Sequence, residues 1–233
     1  MITDQIRGEH PFVPAEGQGR NVETLSLTIN GKKIVTEKGK KVLWAALENG
    51  IFIPHLCSAG ENPLPFGGCR LCFVEVEGKK EPMASCTEEV TDGMIVNTRT
   101  ESVLRLVRMA FELIMSRHPI ICRECPANKK CALQDISREM GFKLKPKRLP
   151  QILPDLPVDD SHSLFTYNPN LCVLCGLCVY ICNEIVKEAI LDFNFRGFIT
   201  KVGTFQNRPL AESKCNSCLK CVEACPVGAL SKR

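Results

Sequence analysis

Apolar and polar positions change rhythm along the chain. From residue 22 the alternation is two-fold: Leu25, Leu27 and Ile29 are separated by polar residues, as in a strand with one buried face. Asn30-Gly31 follows, a dipeptide suited to a tight hairpin, and predicts a second strand near Lys33 to Thr36. A short helix is expected over Lys41 to Asn49, with Gly50 as its cap and Trp44 on its core face. Further strands are expected at Phe73–Glu77 and near Met94–Thr98. Beyond residue 99 the rhythm becomes helical. Val103, Leu104, Leu106, Val107, Ala110, Leu113 and Ile114 fall on one broad stripe, and His118-Pro119 ends it, because a residue before proline is pushed out of the α region.

Two stretches have neither rhythm. Residues 1–21, rich in Pro, Gly and charge, read as an N-terminal arm, and residues 146–165, punctuated by Pro146, Pro150, Pro154 and Pro157, read as a linker. The basic run before it (Lys143, Lys145, Lys147, Arg148) reads as a solvated face. The most apolar long stretch, Leu104 to Met115, is broken by Arg105, Arg108 and Glu112, whereas a membrane span needs about 20 apolar residues. The opening residues carry no apolar signal segment. Neither membrane insertion nor secretion is expected.

Fifteen cysteines change this picture. So many thiols without a secretory signal point to a reducing, cytoplasmic setting, and their odd number excludes a complete intrachain disulfide framework. They fall in groups. Cys57, Cys69, Cys72 and Cys86 lie in the β-rich stretch 22–98, around Gly67-Gly68, with the spacing C-x11-C-x2-C-x13-C. Four thiolates on a glycine-rich loop and an adjoining strand suit a [2Fe-2S] cluster, whose two irons take two thiolates each. His118, Cys122, Cys125 and Cys131 lie in the helical stretch 99–145 as H-x3-C-x2-C-x5-C, a spacing that alone fits zinc or a [4Fe-4S] cluster equally. The company it keeps favours the cluster.

Residues 166–233 hold an internal repeat. Cys172, Cys175, Cys178 and Cys182 form C-x2-C-x2-C-x3-C; Cys215, Cys218, Cys221 and Cys225 form the same run, followed by Pro226, where Asn183 follows the first. In the two-cluster ferredoxin pattern the fourth cysteine of each run serves the other cluster. Cys172, Cys175 and Cys178 are therefore expected to pair with Cys225, and Cys215, Cys218 and Cys221 with Cys182. One [2Fe-2S] and three [4Fe-4S] clusters use every cysteine and His118, leaving none over. His10, His55 and His162 then have no open ligand position, although His55, close to Cys57, is placed to tune that cluster. Arg70 is either a surface charge or a cation between two thiolates, and Ser58 and Ser217 read as ordinary loop residues.

Charge is reinterpreted accordingly. The formal net charge is +4, but ligating thiols lose their protons and the loaded chain comes to about −3. A nucleic-acid partner loses its support. No phosphate-binding glycine loop and no nucleophile–base arrangement can be nominated, so one-electron transfer is the chemistry left.

At this point the chain resembles a known family. Gly68-Cys69-Arg70-Leu71-Cys72, the His118 to Cys131 motif and Cys225-Pro226-Val227-Gly228-Ala229-Leu230 resemble the amino-terminal region of the large iron–sulfur subunit of respiratory complex I. They are also similar to the accessory-cluster region of iron-only hydrogenases. In length and layout the chain resembles the small diaphorase subunit of soluble NAD-reducing hydrogenases. The resemblance implies an α+β chain: a β-grasp [2Fe-2S] ferredoxin domain, a helical domain whose cluster is held by one histidine and three cysteines, and a two-[4Fe-4S] bacterial-ferredoxin-like domain. It implies FMN and NAD(P) on a partner flavoprotein, hydrogenase or other dehydrogenase subunits as further partners, and catalysis on those chains. A relay within an electron-bifurcating hydrogenase, a formate dehydrogenase or a complex I-like enzyme fits the same residues. A free-standing polyferredoxin and a zinc-stabilised scaffold are the readings from other classes.

Overall fold

The computed structural model describes residues 23–60, 65–145 and 147–233. The expected N-terminal arm and Pro146 of the expected linker lie outside them. The chain divides into two compact units, one ending at Ala110 and the other covering Phe111–Arg233.

In the first unit β1 (Thr24–Ile29) and β2 (Lys32–Glu37) form the hairpin that Asn30-Gly31 turns. Both turn residues adopt the left-handed conformation a two-residue hairpin needs, with φ of 51° and 79°. Three more strands complete the sheet: β3 (Phe73–Val76), β4 (Met83–Ala84) and β5 (Met94–Asn97). β1 pairs in parallel with β5, which pairs with β3 and through it with β4. The order β2-β1-β5-β3-β4, with its central parallel pair, is the β-grasp arrangement. Helix α1 (Val42–Glu48) supplies Val42, Leu43, Ala45 and Ala46 to the core shared with Ile29, Val74 and Val96 of the sheet. Each large apolar side chain buried there contributes roughly 1.5–3 kcal/mol. Trp44 is partly buried against this core.

Helix α2 (Glu101–Ser116) buries Val103, Val107, Phe111 and Met115. The stripe is therefore narrower than the sequence suggests: it follows strict i, i+4 spacing, and Leu113 lies on the opposite side, 55% exposed. In the second unit α3 (Ala132–Met140) ends at Gly141 in the left-handed conformation, and Phe142 then packs on Phe111 with ring centroids 5.6 Å apart. Two small antiparallel sheets complete the unit. β6 (Phe165–Tyr167) pairs with β9 (Leu230–Lys232), and β7 (Asp192–Asn194) pairs with β8 (Lys201–Gly203). Two four-residue helices, α4 (Leu177–Tyr180) and α5 (Lys220–Glu223), lie within the two cysteine runs. Among the described residues no helix is long and apolar enough to cross a membrane.

Candidate metal centres

None of the fifteen cysteines is in a disulfide. In the first unit the four thiols form two contacting pairs. Cys57 hydrogen-bonds with Cys69, and Cys72 with Cys86. The backbone N–H of Cys69 also donates to Cys57 Sγ at 3.3 Å. Gly67 and Arg70 both have positive φ, 57° and 55°, so the loop curls as it passes Cys69. The hydrogen bond from Cys57, and then nearby backbone N–H groups, bring the Cys69 thiol down to about 6 against the pull of burial, and Cys72 is lowered by its bond with Cys86. Two thiol pairs are the donor set two bridged irons require. Ser85 fixes the far side, its hydroxyl and its N–H both donating to the Cys72 carbonyl at 2.8 and 2.9 Å.

Ser58 reads from sequence as an ordinary loop residue, and its burial is not foreseen there. It is 3% exposed, directly after Cys57, and its hydroxyl has no hydrogen-bond partner. A buried hydroxyl without a partner costs about 1–3 kcal/mol, so it calls for an acceptor. No sequence signal separates this serine from an ordinary loop serine. His55, beside the site, has its Nδ1 2.9 Å from the Ile53 carbonyl, and its ring meets Trp44 edge-on. Arg70 sits over the Phe73 ring, 5.9 Å from its centroid.

In the second unit His118 is buried and its Nδ1 has no partner. Burial holds the imidazole neutral, which leaves a ring nitrogen lone pair free to ligate. Cys131 is raised by burial and then by the charges of Cys125 and Cys122, so the three thiols share one neighbourhood. Cys125 lies against the buried Gly228, where an added Cβ would stand 2.6 Å from Cys125 Sγ. The Ala132 N–H donates to the Pro226 carbonyl at 2.9 Å, tying the start of α3 to the same carboxy-terminal segment.

The remaining eight thiols line two pockets. One, of about 430 Å³ and partly open to solvent, is walled by Cys182, Cys215, Cys218 and Cys221, with Phe165, Ile181, Leu191 and Leu210. The other, of about 330 Å³, is walled by Cys172, Cys175, Cys178 and Cys225, with Tyr167, Val202 and Val227. The thiols share each pocket with apolar walls. Backbone N–H groups point at the sulfurs: Leu174 to Cys172, Ser217 to Cys215 and Ile190 to Cys182, at 3.4, 3.4 and 3.3 Å. The repeat extends to the backbone. Leu174 and Gly176 have φ of 54° and 77°, Ser217 and Leu219 of 62° and 60°. Left-handed leucines cost of order 1 kcal/mol or more each, and here both stand between cysteines of a run. Burial raises Cys172 to about 11 and Cys221 to about 12, so ionising these thiols is costly unless a cation stands beside them.

The groups in this unit adjoin one another. Cys225 is raised by burial and also by the charge of Cys125. Cys178 is raised by burial, by Cys175, Cys172 and Cys225, and then by Cys221 of the neighbouring pocket.

Comparison with known proteins agrees with this layout. Residues 22–101 match a 2Fe-2S iron-sulfur cluster binding domain, residues 108–145 the NADH-ubiquinone oxidoreductase-G iron-sulfur binding region, and residues 210–231 a 4Fe-4S binding domain. The chain is 36% identical over 206 residues to NADPH-Fe(3+) oxidoreductase subunit alpha of Geobacter sulfurreducens, covering 88% of this chain and 24% of the relative. It is 33% identical to NADP-reducing hydrogenase subunit HndD of Solidesulfovibrio fructosivorans, covering 88% of this chain and 36% of that one. It is 34% identical to the G-type subunit of NADH-quinone oxidoreductase of Streptomyces coelicolor, over 90% of this chain and 24% of the relative. The chain thus spans about a quarter to a third of these curated relatives. A chain in the crystal structure of NAD+-reducing [NiFe]-hydrogenase in the H2-reduced state superposes with a TM-score of 0.78 at 29% identity, covering 90% of this chain and 87% of that one. The protein is built from iron–sulfur domains of the type found in the G-type subunit of NADH-quinone oxidoreductase and in NADP-reducing hydrogenase.

Proposed function

We propose that this chain is an electron relay. It holds one [2Fe-2S] cluster on Cys57, Cys69, Cys72 and Cys86. Three [4Fe-4S] clusters sit on His118 with Cys122, Cys125 and Cys131; on Cys172, Cys175, Cys178 and Cys225; and on Cys182, Cys215, Cys218 and Cys221. It works in the cytoplasm, between a subunit that binds flavin and NAD(P) and a nickel–iron hydrogenase module. Clusters so ligated supply one-electron transfer with little rearrangement of their ligands.

The observation that carries this reading is the succession of ligand groups in the second unit. Cys125 acts on Cys225, and Cys178 feels Cys221, so three groups follow one another, each within electrostatic reach of the next. A scaffold for isolated zinc ions has no need of such proximity. The chain's residues have three tasks. Backbone N–H groups at Cys57, Cys172, Cys182 and Cys215 stabilise negative sulfur. Apolar walls such as Ile181, Leu191 and Val227 limit contact with water. The neutral imidazole at His118 leaves its group less negative than a fourth thiolate would.

The hydrogenase assignment draws support from the near end-to-end match with a chain of the NAD+-reducing [NiFe]-hydrogenase structure. The second reading, a relay in an NADP-linked hydrogenase or a complex I-like enzyme, draws on the relatives of those names. Anaerobic affinity purification from the native host, with identification of the accompanying chains, separates them. A flavoprotein together with a nickel–iron large subunit is the expected result. A flavoprotein with quinone-reductase subunits selects the second reading, and a chain that elutes alone contradicts both.

A further inference from the structure

The segment between the two cysteine runs carries a ridge of exposed apolar side chains, Phe195, Phe198 and Ile199 in the β7–β8 loop and Phe205 after β8. Phe198 and Phe205 are 79% and 80% exposed, Ile199 65% and Phe195 50%. Four such side chains within eleven residues exceed what scattered surface apolar residues require. The backbone beneath them is fixed. β7 pairs with β8, Asn194 Nδ2 donates to the Thr204 carbonyl at 2.9 Å, and the Thr204 hydroxyl donates to the Arg208 carbonyl. Arg117, at the end of the helix before His118, donates to the carbonyls of Phe198 and Thr200. A ridge already held in place loses little entropy on docking.

Its position relates it to the metal centres. The segment leaves from Leu191 and returns at Leu210, both walls of the pocket of Cys182, Cys215, Cys218 and Cys221. Midway, Val202 walls the pocket of Cys172, Cys175, Cys178 and Cys225, and its carbonyl accepts from the hydroxyl of Tyr167 in the same pocket. Charge indicates what would cover it. Arg196, between Phe195 and Phe198, and Arg208, three residues after Phe205, are exposed, and their hydrogen bonds go to the Phe195 carbonyl and the Gln206 side chain. Among the described residues neither has a carboxylate within ion-pair distance.

We propose that this ridge is the docking surface for a redox partner chain that presents an apolar hollow edged by carboxylates, and so brings the partner's electron carrier to these two pockets. The proposal rests on the relay reading and extends it. Exposed aromatic side chains with arginines beside them are the composition of a protein–protein anchor.

The test uses the full chain in its native host, purified anaerobically with its accompanying chains. A photo-crosslinking amino acid replaces Phe198 in one variant and Phe205 in another, and Phe198→Asp/Phe205→Asp is a third. Crosslinks from both positions to one and the same redox-cofactor-binding chain are expected. The double aspartate variant is expected to keep its iron and its EPR signals, and to retain that chain about ten-fold less, as for the loss of an interface anchor. Should it lose iron, the two crosslinking variants, which alter only exposed positions, decide the matter. Crosslinks to a second copy of this chain, to a chain without a redox cofactor, or to none while wild-type partners remain, overturn the proposal. A wild-type chain that purifies without any partner is a different result and removes the relay reading itself.

Discussion

His118 and Ser58 each bury a polar atom that has no hydrogen-bond partner in the chain. In the proposed relay His118 would place a neutral ligand where a thiolate would add a negative charge, and less negative charge favours reduction. His118→Cys is therefore expected to lower the potential of that centre, on the order of 100 mV, in an EPR-monitored redox titration. An unchanged or raised potential contradicts the assignment. Ser58 offers a buried hydroxyl that has no partner within the chain. If it donates to sulfur of the first centre, the bond strengthens on reduction. Ser58→Ala then lowers that potential by roughly 40 mV, the equivalent of about 1 kcal/mol, with unchanged iron content. A potential that stays put shows the hydroxyl to be idle.

At the scale of elements, the carboxy-terminal turn after Cys225 meets Cys125 of another cysteine group. Gly228 is buried where any side chain would collide with Cys125 Sγ at 2.6 Å and meet the Pro126 ring at 3.4 Å. Neither is the free end of a long side chain that can swing away. Gly228→Ala should displace Cys125 and cost the protein about four of its roughly 14 irons, with the EPR signal of the histidine-ligated centre lost and the [2Fe-2S] signal kept. Full iron content in this variant would mean that Cys125 is free to move. The contact also shows where sequence reading stops. Two-fold alternation at Leu25, Leu27 and Ile29, the Asn30-Gly31 turn and the strand at Phe73 are legible, because each is a local pattern with one physical solution. So are the cysteine groups, whose spacing is itself the signal. The two-residue strand β4 is too short to leave a periodicity, and the i, i+4 stripe through Phe111 and Met115 is blurred by Leu113, an exposed leucine. The burial of Ser58 and the approach of Gly228 to Cys125 arise from segments distant in sequence, and no local pattern encodes them. The arginine at 117 that fixes the Phe198 turn is likewise a long-range partner.

Over the whole molecule the account is one of charge and reach. The bare sequence carries a formal net charge of +4, yet a chain loaded as proposed would come to about −3, so the net charge of the bare sequence is a poor guide to partners. The left-handed backbone at Leu174, Ser217 and Leu219 and the high thiol pKa values have one common reason if iron occupies all four groups: each cost is offset when a thiolate meets the metal. The claim that sixteen side chains hold four clusters is tested most directly by counting. Iron, acid-labile sulfide and zinc should be measured on protein purified without oxygen. About 14 irons and 14 sulfides per chain with negligible zinc is the expected result. A few zincs per chain without sulfide, or a colourless preparation free of iron, would contradict the account.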